Sequence, residues 1–547
     1  MFYREILRIL SSYLFLYAAI LSVPFALAAY YQFVADPVRH PQPASTLAFA
    51  YTIAICLGLA FFFKQGMRQA KAALYRRESL ATAVIIWFLT PAIGCLPFVF
   101  SGTLQRIDQA YFEAASGFTT TGATVLEAKK YDPETGKEIP IRRTYCGMQQ
   151  TTYEFYGTVA PVTNALGKQF EGIEAVSHAL LFWRSLMQWL GGMGILVLFV
   201  AFLPELGVKG KFLFQTESPG PIKEALTPRI TETALQLWQI YVGLTIAEII
   251  LLLATNRQMP LFDAVTITLA TVSTGGFSVH NQSLGYYQNF NTEWIVLVFM
   301  ILGSINFSFY YYIIKGKIYR LFEPEFALYM ALLLVLGGFI AWNLIGVERI
   351  SLTGESEGMY SWKEALHMGF FQLISAQTST GFFLADYDHW PAIVQAIILI
   401  AMYLGGMAGS TAGGIKIVRF YMLFQIIVSK VESIFRPKTI RIIRLGQREI
   451  DQSAAVSVLC FFILVMVFSV LATLCYVADQ IDPETALGLT ACMINNTGGA
   501  FRAAGPMSTM AFLSPFSTLL SSFVMILGRL EFYAVLVLLV PAFWKDH

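Results

Sequence analysis

Four short polar runs stand out in this apolar chain, and each contains a Thr-Gly pair. Threonine supplies a hydroxyl oxygen without charge, while glycine reaches unusual backbone angles and lets carbonyl oxygens approach a ligand. Four such loops around one axis would stack rings of carbonyl oxygens that replace the water shell of a bare monovalent cation. The runs are GFTTTGATVL (117–126), ATVSTGGFSV (270–279), SAQTSTGFFL (375–384) and MINNTGGAFR (493–502).

No acidic residue accompanies the glycine of any run. A divalent cation would require carboxylate ligands, so the runs favour a weakly held ion such as K+. We therefore predict a K+ filter made of three residues from each run. These are Thr120, Thr121 and Gly122; Ser273, Thr274 and Gly275; Ser379, Thr380 and Gly381; and Asn496, Thr497 and Gly498.

The composition indicates that these loops lie within a lipid bilayer. Of the 547 residues, 56% are hydrophobic and only 13% are charged, whereas soluble proteins have about 25% charged residues. Windows long enough to span a membrane recur about ten times. They cover approximately residues 9–34, 45–63, 80–103, 179–203, 233–255, 293–314, 326–346, 391–425, 453–478 and 510–543.

The distribution of basic residues predicts the orientation. Segments 64–77, 315–320 and 430–448 are basic, whereas 347–358 and 478–484 lean acidic. By the positive-inside rule the basic segments and both termini are cytoplasmic, which predicts the orientation of a multi-pass membrane protein. A plain topology signal explains each basic segment, and docking of a soluble partner is the alternative, best placed at the last and longest segment.

Each Thr-Gly run has the same neighbours: a span before it, a short amphipathic helix leading into it, and a span after it. Helix starts are predicted at Asp108, Asp263, Ser361 with Glu364, and Asp482 with Pro483. The short helices are too short to cross the bilayer, so we interpret them as re-entrant half-helices. Their C-terminal ends point at mid-membrane, where the helix dipole favours a cation.

The predicted fold is an all-α integral membrane protein with four pseudo-symmetric repeats around one pore. Irregular backbone at membrane depth requires a water-filled path or protein partners, which supports the pore. Two N-terminal spans (1–78) precede repeat 1 (79–230), which contains a polar outer insertion at 127–175. The other repeats cover 231–322, 323–450 and 451–547.

A glycine-rich stretch, GGMAGSTAGGIK (405–416), interrupts the second span of repeat 3. Five glycines make a poor continuous helix, so we predict an intramembrane gate loop below the filter. Close helix packing through Gly405 and Gly409 is the alternative. The stretch is not a phosphate-binding loop, because Ile415 separates glycine from lysine and no strand precedes it. The predicted gate residues are Gly409, Ser410, Thr411, Ala412, Gly413 and Gly414, together with Arg529.

Arg529 lies inside the last predicted span, where a cation is costly and should face a cavity or a partner. We predict that it faces the pore; pairing of Arg529 or Glu531 with a neighbouring helix is the alternative. Lys416 and Arg419 are expected at the cytoplasmic end of their span. Arg184 and Gln188, one turn apart, are expected to support the first half-helix from behind. Arg502 either lowers the local cation concentration or anchors its loop.

Several motifs together resemble the Trk/Ktr/HKT superfamily of potassium transporters. They are AASGFTTTGATV, LATVSTGGFS, SAQTSTGF and NNTGG, with LMQWLGGMGILVL (186–198), GGMAGSTAGGIK (405–416) and LGRLEFYAVLVLLVPAFW (527–544). The two N-terminal spans place the chain nearer the TrkH/TrkG subgroup than KtrB. The resemblance implies a homodimer regulated by a cytosolic nucleotide-binding subunit of the TrkA type. It also associates glycine in all four loops with K+ selectivity, and implies a gating role for Arg529 and loop 405–416.

The sequence thus predicts K+ uptake through a pore formed by one chain, with K+ as the transported ion. No nucleotide or nucleic acid is expected to bind this chain. Membrane lipid is expected to contact the outer surface of its spans. A Na+-permeable or Na+/H+-coupled symporter of the same fold is the alternative. An enzyme is not expected, because the six histidines show no metal-binding spacing and few carboxylates lie within the spans.

Overall fold

The structure is a computed structural model. It describes residues 3–35, 45–65, 76–147, 150–194, 230–317, 323–352, 354–436 and 452–545, together with Val197 and the pairs 444–445 and 448–449. Most of the basic segment 64–77, parts of 315–320 and 430–448, and the end of the predicted span 179–203 lie outside the described residues. Helices dominate the described part of the chain, as the composition predicts.

The α-helices are numbered in chain order. Those before and within the first two repeats are α1 (Tyr3–Phe33), α2 (Thr46–Gln65), α3 (Arg76–Gly94), α4 (Leu96–Phe100), α5 (Ile107–Phe118), α6 (His178–Gly192), α7 (Ile230–Thr255), α8 (Leu261–Val272), α9 (Phe290–Ser304) and α10 (Phe307–Ile314). The remainder are α11 (Pro324–Leu344), α12 (Trp362–Gln377), α13 (Ala392–Leu404), α14 (Ile417–Phe435), α15 (Gln452–Ala478), α16 (Pro483–Asn495), α17 (Pro515–Arg529), α18 (Tyr533–Leu538) and α19 (Pro541–Trp544).

Short antiparallel hairpins complete the structure, three of them in the outer insertion. These three pair β1 (Lys130–Tyr131) with β2 (Glu138–Ile139), β3 (Ile141–Cys146) with β4 (Gln150–Phe155), and β5 (Val162–Thr163) with β6 (Gln169–Phe170). The others pair β7 (Glu348–Ile350) with β8 (Ser356–Met359), and β9 (Arg444–Leu445) with β10 (Arg448–Glu449).

Within the described residues, six helices are long and apolar enough to cross a membrane, or seven if one bent pair counts as a span. The bent pair is α9 and α10, which meet at 93°. Asn306 causes a new helix to begin there, because its side chain accepts a hydrogen bond from the Ser308 N–H. The predicted single span 293–314 is therefore broken.

The last predicted span, 510–543, is also interrupted. Helix α17 ends at Arg529, and Glu531 and Phe532 then adopt positive φ angles of 59° and 53° before α18 begins. Arg529 consequently lies at a helix end rather than inside a continuous span.

The four predicted half-helices are α5, α8, α12 and α16, of 12, 12, 16 and 13 residues. Two of the predicted starts are confirmed: Ser361 forms a capping box with Glu364, and Asp482 caps α16 with Pro483 at its first position. Asp108 and Asp263 are not caps; each lies in the first turn of its helix. Asp108 pairs with Arg106 instead.

The N-terminal helices brace the first repeat. Tyr17 of α1 donates to the Thr90 carbonyl of α3 at 3.3 Å, and its ring centroid lies 6.2 Å from that of Trp183 in α6. Trp183 of α6 is fully buried and donates to the Gly94 carbonyl of α3 at 3.0 Å. These contacts fix α6, the helix that lies directly behind the Thr-Gly loops, against the rest of the bundle.

The insertion at 127–175 folds over the ends of the half-helices. Tyr153 donates to the Asp482 carboxylate at 2.5 Å, and its oxygen accepts the Asp482 N–H at 3.0 Å. Tyr145 is 2.7 Å from the hydroxyl of Ser508. We call this side of the protein the outer side, following the orientation predicted from charge.

Candidate ion-conduction pathway

All four Thr-Gly loops share one backbone conformation. A residue with φ between 53° and 58° is followed two positions later by a glycine with φ between 79° and 84°. The first residues are Thr120, Thr274, Ser379 and Asn496, and the glycines are Gly122, Gly276, Gly381 and Gly498. The repeated pattern identifies equivalent positions, because positive φ is uncommon outside glycine.

This pattern corrects the predicted register of the second loop, which named Ser273, Thr274 and Gly275. The counterpart of Gly122 is Gly276, and Gly275 occupies the position that Thr121 has in the first loop. The sequence offers two adjacent glycines here, and Thr-Gly spacing alone selects the wrong one.

The loops close into a ring through these glycines. A Cβ atom added to any of them would lie within 2.6 Å of a carbonyl oxygen in the next repeat, which is closer than real Cβ contacts allow. The added Cβ would lie 2.2 Å from the Gly275 oxygen at Gly122 and 1.8 Å from the Thr380 oxygen at Gly276. At Gly381 it would lie 2.5 Å from the Thr497 oxygen, and at Gly498 it would lie 2.6 Å from the Thr121 oxygen. Only glycine permits this approach, so each of the four glycines lies directly against a carbonyl oxygen of the next repeat.

Two cavities lie on either side of the ring. The outer cavity, of about 280 Å³, is lined by Gly122, Gly276, Gly381 and Gly498. The inner cavity, of about 100 Å³, is lined by Asn496, loop 405–416 and Arg529. The ring therefore separates two cavities that are each large enough to hold water.

In two repeats, a hydroxyl group of the half-helix donates a hydrogen bond to the Thr-Gly loop that follows it. Ser116 donates to the Ala123 carbonyl at 2.6 Å, and Ser375 donates to the Phe382 carbonyl at 2.6 Å. Both carbonyls come directly after the ring glycine. The same two loops have a hydroxyl pair at their start, Thr119 with Thr121 and Thr378 with Thr380, each at 2.7 Å.

Residues 405–416 form a loop between α13 and α14. Gly405 and Gly409 have φ angles of 65° and 73°, so they are not a helix-packing pair, which excludes that alternative. The Gly413 N–H donates to the Ser379 hydroxyl at 2.5 Å. The Thr411 hydroxyl donates to the carbonyls of Val272 at 3.1 Å and Gly303 at 2.9 Å. The loop thus contacts the segments that carry the second and third Thr-Gly loops from the inner side.

Arg529 lines the inner cavity and links three repeats. Its Nη2 donates to the carbonyls of Gly191 at 2.6 Å and Gly192 at 2.9 Å, at the end of α6. Its Nη1 donates to the Thr411 carbonyl at 3.0 Å and the Thr120 hydroxyl at 3.3 Å. A fixed cation thus lies directly beneath the ring, between the Thr-Gly loops and loop 405–416.

Lys416 and Arg419, expected at the cytoplasmic end of their span, lie at the N-cap and in the first turn of α14. Both are buried, with exposed fractions of 4% and 5%, and both line the inner cavity. Lys416 donates to the Ala412 carbonyl, and Arg419 pairs with Glu531 at 2.6 Å. Glu531 is therefore the residue that pairs with a neighbouring helix. The sequence did not predict Arg419 as the partner of Glu531, because the two residues lie far apart in the chain.

Paired charges lie among the loops on the outer side of the ring, a region that we call the outer mouth. The Arg502 guanidinium forms an ion pair with Glu484 at 2.8 Å, and the backbone N–H of Arg502 donates to both carboxylate oxygens of Asp388. Arg502 therefore anchors the loop that follows Gly498. Burial raises the pKa of Asp388 to about 7, against the opposing effect of the Arg502 N–H.

A second charge cluster at the outer mouth joins α8 to the insertion. His280 lies between Asp263 at 3.1 Å and Glu174 at 3.2 Å. Burial alone would lower the pKa of His280, but hydrogen bonds and charges from these two carboxylates outweigh it and raise the pKa.

The fold and the ring together define the class: a multi-pass membrane transport protein with four repeats around one pore. The chain belongs to the TrkH family, described as cation transport proteins, whose family model matches residues 148–546.

Relatives extend over nearly the whole chain. The Trk system potassium uptake protein TrkH of Salmonella typhimurium is 29% identical over 100% of both chains. The TrkH of Halomonas elongata is 30% identical over 99% of each chain, and the TrkG of Escherichia coli is 30% identical over 91%. The crystal structure of the potassium transporter TrkH from Vibrio parahaemolyticus matches with a TM-score of 0.78 and 25% identity, covering 100% of both chains.

Proposed function

We propose that this chain takes up K+ across the bacterial cytoplasmic membrane through a K+-selective pore. The observation that carries the proposal is the closed ring in which four glycines each approach a carbonyl oxygen of the next repeat. Uncharged backbone oxygens suit a large monovalent cation better than a divalent one. The names of the relatives, Trk system potassium uptake proteins, support the same ion.

The half-helices strengthen the site electrostatically. Each of α5, α8, α12 and α16 ends at the start of a filter loop. Each C-terminal end carries about half a negative charge, so four of them favour a cation at the ring. The K+ filter of this proposal comprises Thr120, Thr121, Gly122, Thr274, Gly275, Gly276, Ser379, Thr380, Gly381, Asn496, Thr497 and Gly498, with Gly276 replacing Ser273.

Loop 405–416 and Arg529 form the gate in this proposal. Their mutual hydrogen bond holds a cation and a backbone loop beneath the ring, where both oppose passage of K+. Opening requires the loop to move away and Arg529 to release the Thr411 carbonyl. The family resemblance adds a homodimer and a TrkA-type nucleotide-binding subunit on the cytoplasmic side.

Ion flux into proteoliposomes that contain the purified protein tests the proposal, with K+ compared against Na+. A strong K+ preference that is weakened by Gly381→Ser is the expected result, because the added Cβ would displace the Thr497 carbonyl. Equal K+ and Na+ fluxes would instead support the Na+-permeable alternative. K+ uptake that depends on an imposed Na+ or H+ gradient would support symport.

A further inference from the structure

The second filter loop lacks the hydroxyl groups that hold the first and third loops in place. Ser116 and Ser375 hold the first and third loops, but the equivalent residue in the second repeat is Ala270. The ring-carbonyl position, which is threonine in the other three loops, is Gly275. Neither residue has a hydroxyl that could fix the loop.

Gln188 of α6 occupies the place of the missing side chain. Its Nε2 donates to the Gly275 carbonyl at 2.6 Å, and its Oε1 accepts the Phe277 N–H at 3.0 Å. The side chain is fully buried. A Cβ added to Gly275 would lie 2.5 Å from Cδ of Gln188, so the glutamine fills the space that a threonine would need.

The Gln188 side-chain amide therefore forms hydrogen bonds with the second loop on both sides of Gly276. The Gly275 oxygen that it holds is the same atom that Gly122 approaches in the ring. A carbonyl oxygen has two lone pairs, so it can accept the glutamine hydrogen bond and still face an ion.

Arg184, one turn before Gln188, extends the contact. Its Nη1 donates to the Ser278 carbonyl at 3.0 Å, and its guanidinium lies 4.0 Å from the Phe277 ring centroid. Helix α6 belongs to the first repeat, so the second loop is held by its neighbouring repeat rather than by its own half-helix. Both side chains were expected to support the first half-helix, but Gln188 contacts the second loop.

We propose that Gln188 is a specificity-determining positioning residue, which sets the place of the Gly275 carbonyl in the ring. This inference rests on the proposed K+ filter. Discrimination between K+ and Na+ depends on the number, field strength and spacing of ring oxygens, and Gln188 controls one of the four.

The test is a double-mutant cycle with Gln188→Ala, Gly275→Thr and the two combined, read as the ratio of initial K+ to Na+ flux in proteoliposomes. Gln188→Ala should lower the ratio roughly three- to tenfold, the factor that corresponds to about one neutral hydrogen bond. Gly275→Thr alone should reduce K+ flux because it collides with Gln188. The combined variant should recover towards the wild type, since threonine then occupies the vacated space.

Gln395→Ala is the matched control. Gln395 also donates to backbone carbonyls, those of Asp388 at 2.7 Å and Trp390 at 3.0 Å, but it lies away from the ring. The K+ to Na+ flux ratio of Gln395→Ala should therefore equal that of the wild type. A Gln188→Ala ratio within twofold of the wild type, in protein that elutes as one species, would overturn the inference. So would purely additive effects in the combined variant. A wild type without K+ preference would instead refute the proposed function itself.

Discussion

Arg184 Nε lies 2.7 Å from Glu113 Oε1, and the two side chains expose only 1% and 0% of their surface. The Glu113 carboxylate also accepts the Val125 N–H at 3.0 Å and the Thr124 hydroxyl at 3.0 Å. Because Arg184 reaches Ser278 as well, this ion pair joins the segments that leave the first and second filter loops. Neither sequence spacing nor the half-helix pattern predicts Glu113 as part of the site.

Breaking this pair should destabilise the protein strongly. Arg184→Ala leaves the Glu113 carboxylate buried without its cation, which costs about 3 to 5 kcal/mol. The unfolding midpoint in detergent should fall well below that of the wild type. The control is Arg142→Ala, which breaks a pair with Glu154 whose side chains are 71% and 49% exposed, and should cost about 1 kcal/mol or less. Equal losses in the two variants would contradict the prediction.

The corrected register predicts unequal effects at two adjacent glycines. Gly276→Ala places a Cβ 1.8 Å from the Thr380 carbonyl, so the ring must open and K+ selectivity should be lost. Gly275→Ala meets only the Gln188 side chain, which is more yielding than backbone, and should retain part of the preference. Flux ratios of K+ to Na+ decide between them, and a larger loss at Gly275 would restore the original register.

Removing the cation beneath the ring should increase flux. At an effective dielectric constant of about 20, two unit charges 4 Å apart repel by about 4 kcal/mol, so Arg529 opposes a K+ ion that leaves the ring. Arg529→Gln should raise the K+ flux roughly tenfold or more, while Arg529→Lys keeps the charge and should remain nearer the wild type. The K+ to Na+ ratio should change little, because the ring is intact. Unchanged flux through well-folded Arg529→Gln protein would argue against the gate.

Asp388 predicts a pH-dependent stability of the outer mouth. Its pKa is about 7 in the folded protein, above the ordinary value of 3.8, because burial outweighs the Arg502 N–H; Asp386 and Glu484 add to the rise. The folded state therefore binds a proton more tightly, and this contribution to stability declines as pH rises from about 4 to about 7. Asp388→Asn should flatten the fall in the thermal midpoint between about pH 4 and pH 7. The exposed Glu355→Gln should leave that fall unchanged, and an unaltered slope in Asp388→Asn would disprove the assignment.

Much of the fold follows from local sequence. Apolar length predicts the spans, and the capping signals at Ser361 and Asp482 predict two half-helix starts, because a cap depends on residues within one turn. The breaks at Ile305 and at Glu531 were not predicted. Hydropathy is averaged over a window of residues, so it does not detect a break in a helix. The backbone groups that lose their helical hydrogen bonds at such a break can bond to residues elsewhere in the chain.

The sequence by itself determined a membrane protein with four polar Thr-Gly loops after short helices, and a glycine-rich interruption near Arg529. The tertiary structure alone decided which glycine of the second loop closes the ring and that Gln188 replaces a missing side chain there. It also decided that Arg529 bonds to Thr411. The physical reason is the range of the interactions: solvent preference, helix length and capping act within a segment, whereas ring closure and buried hydrogen bonds join residues far apart in the chain.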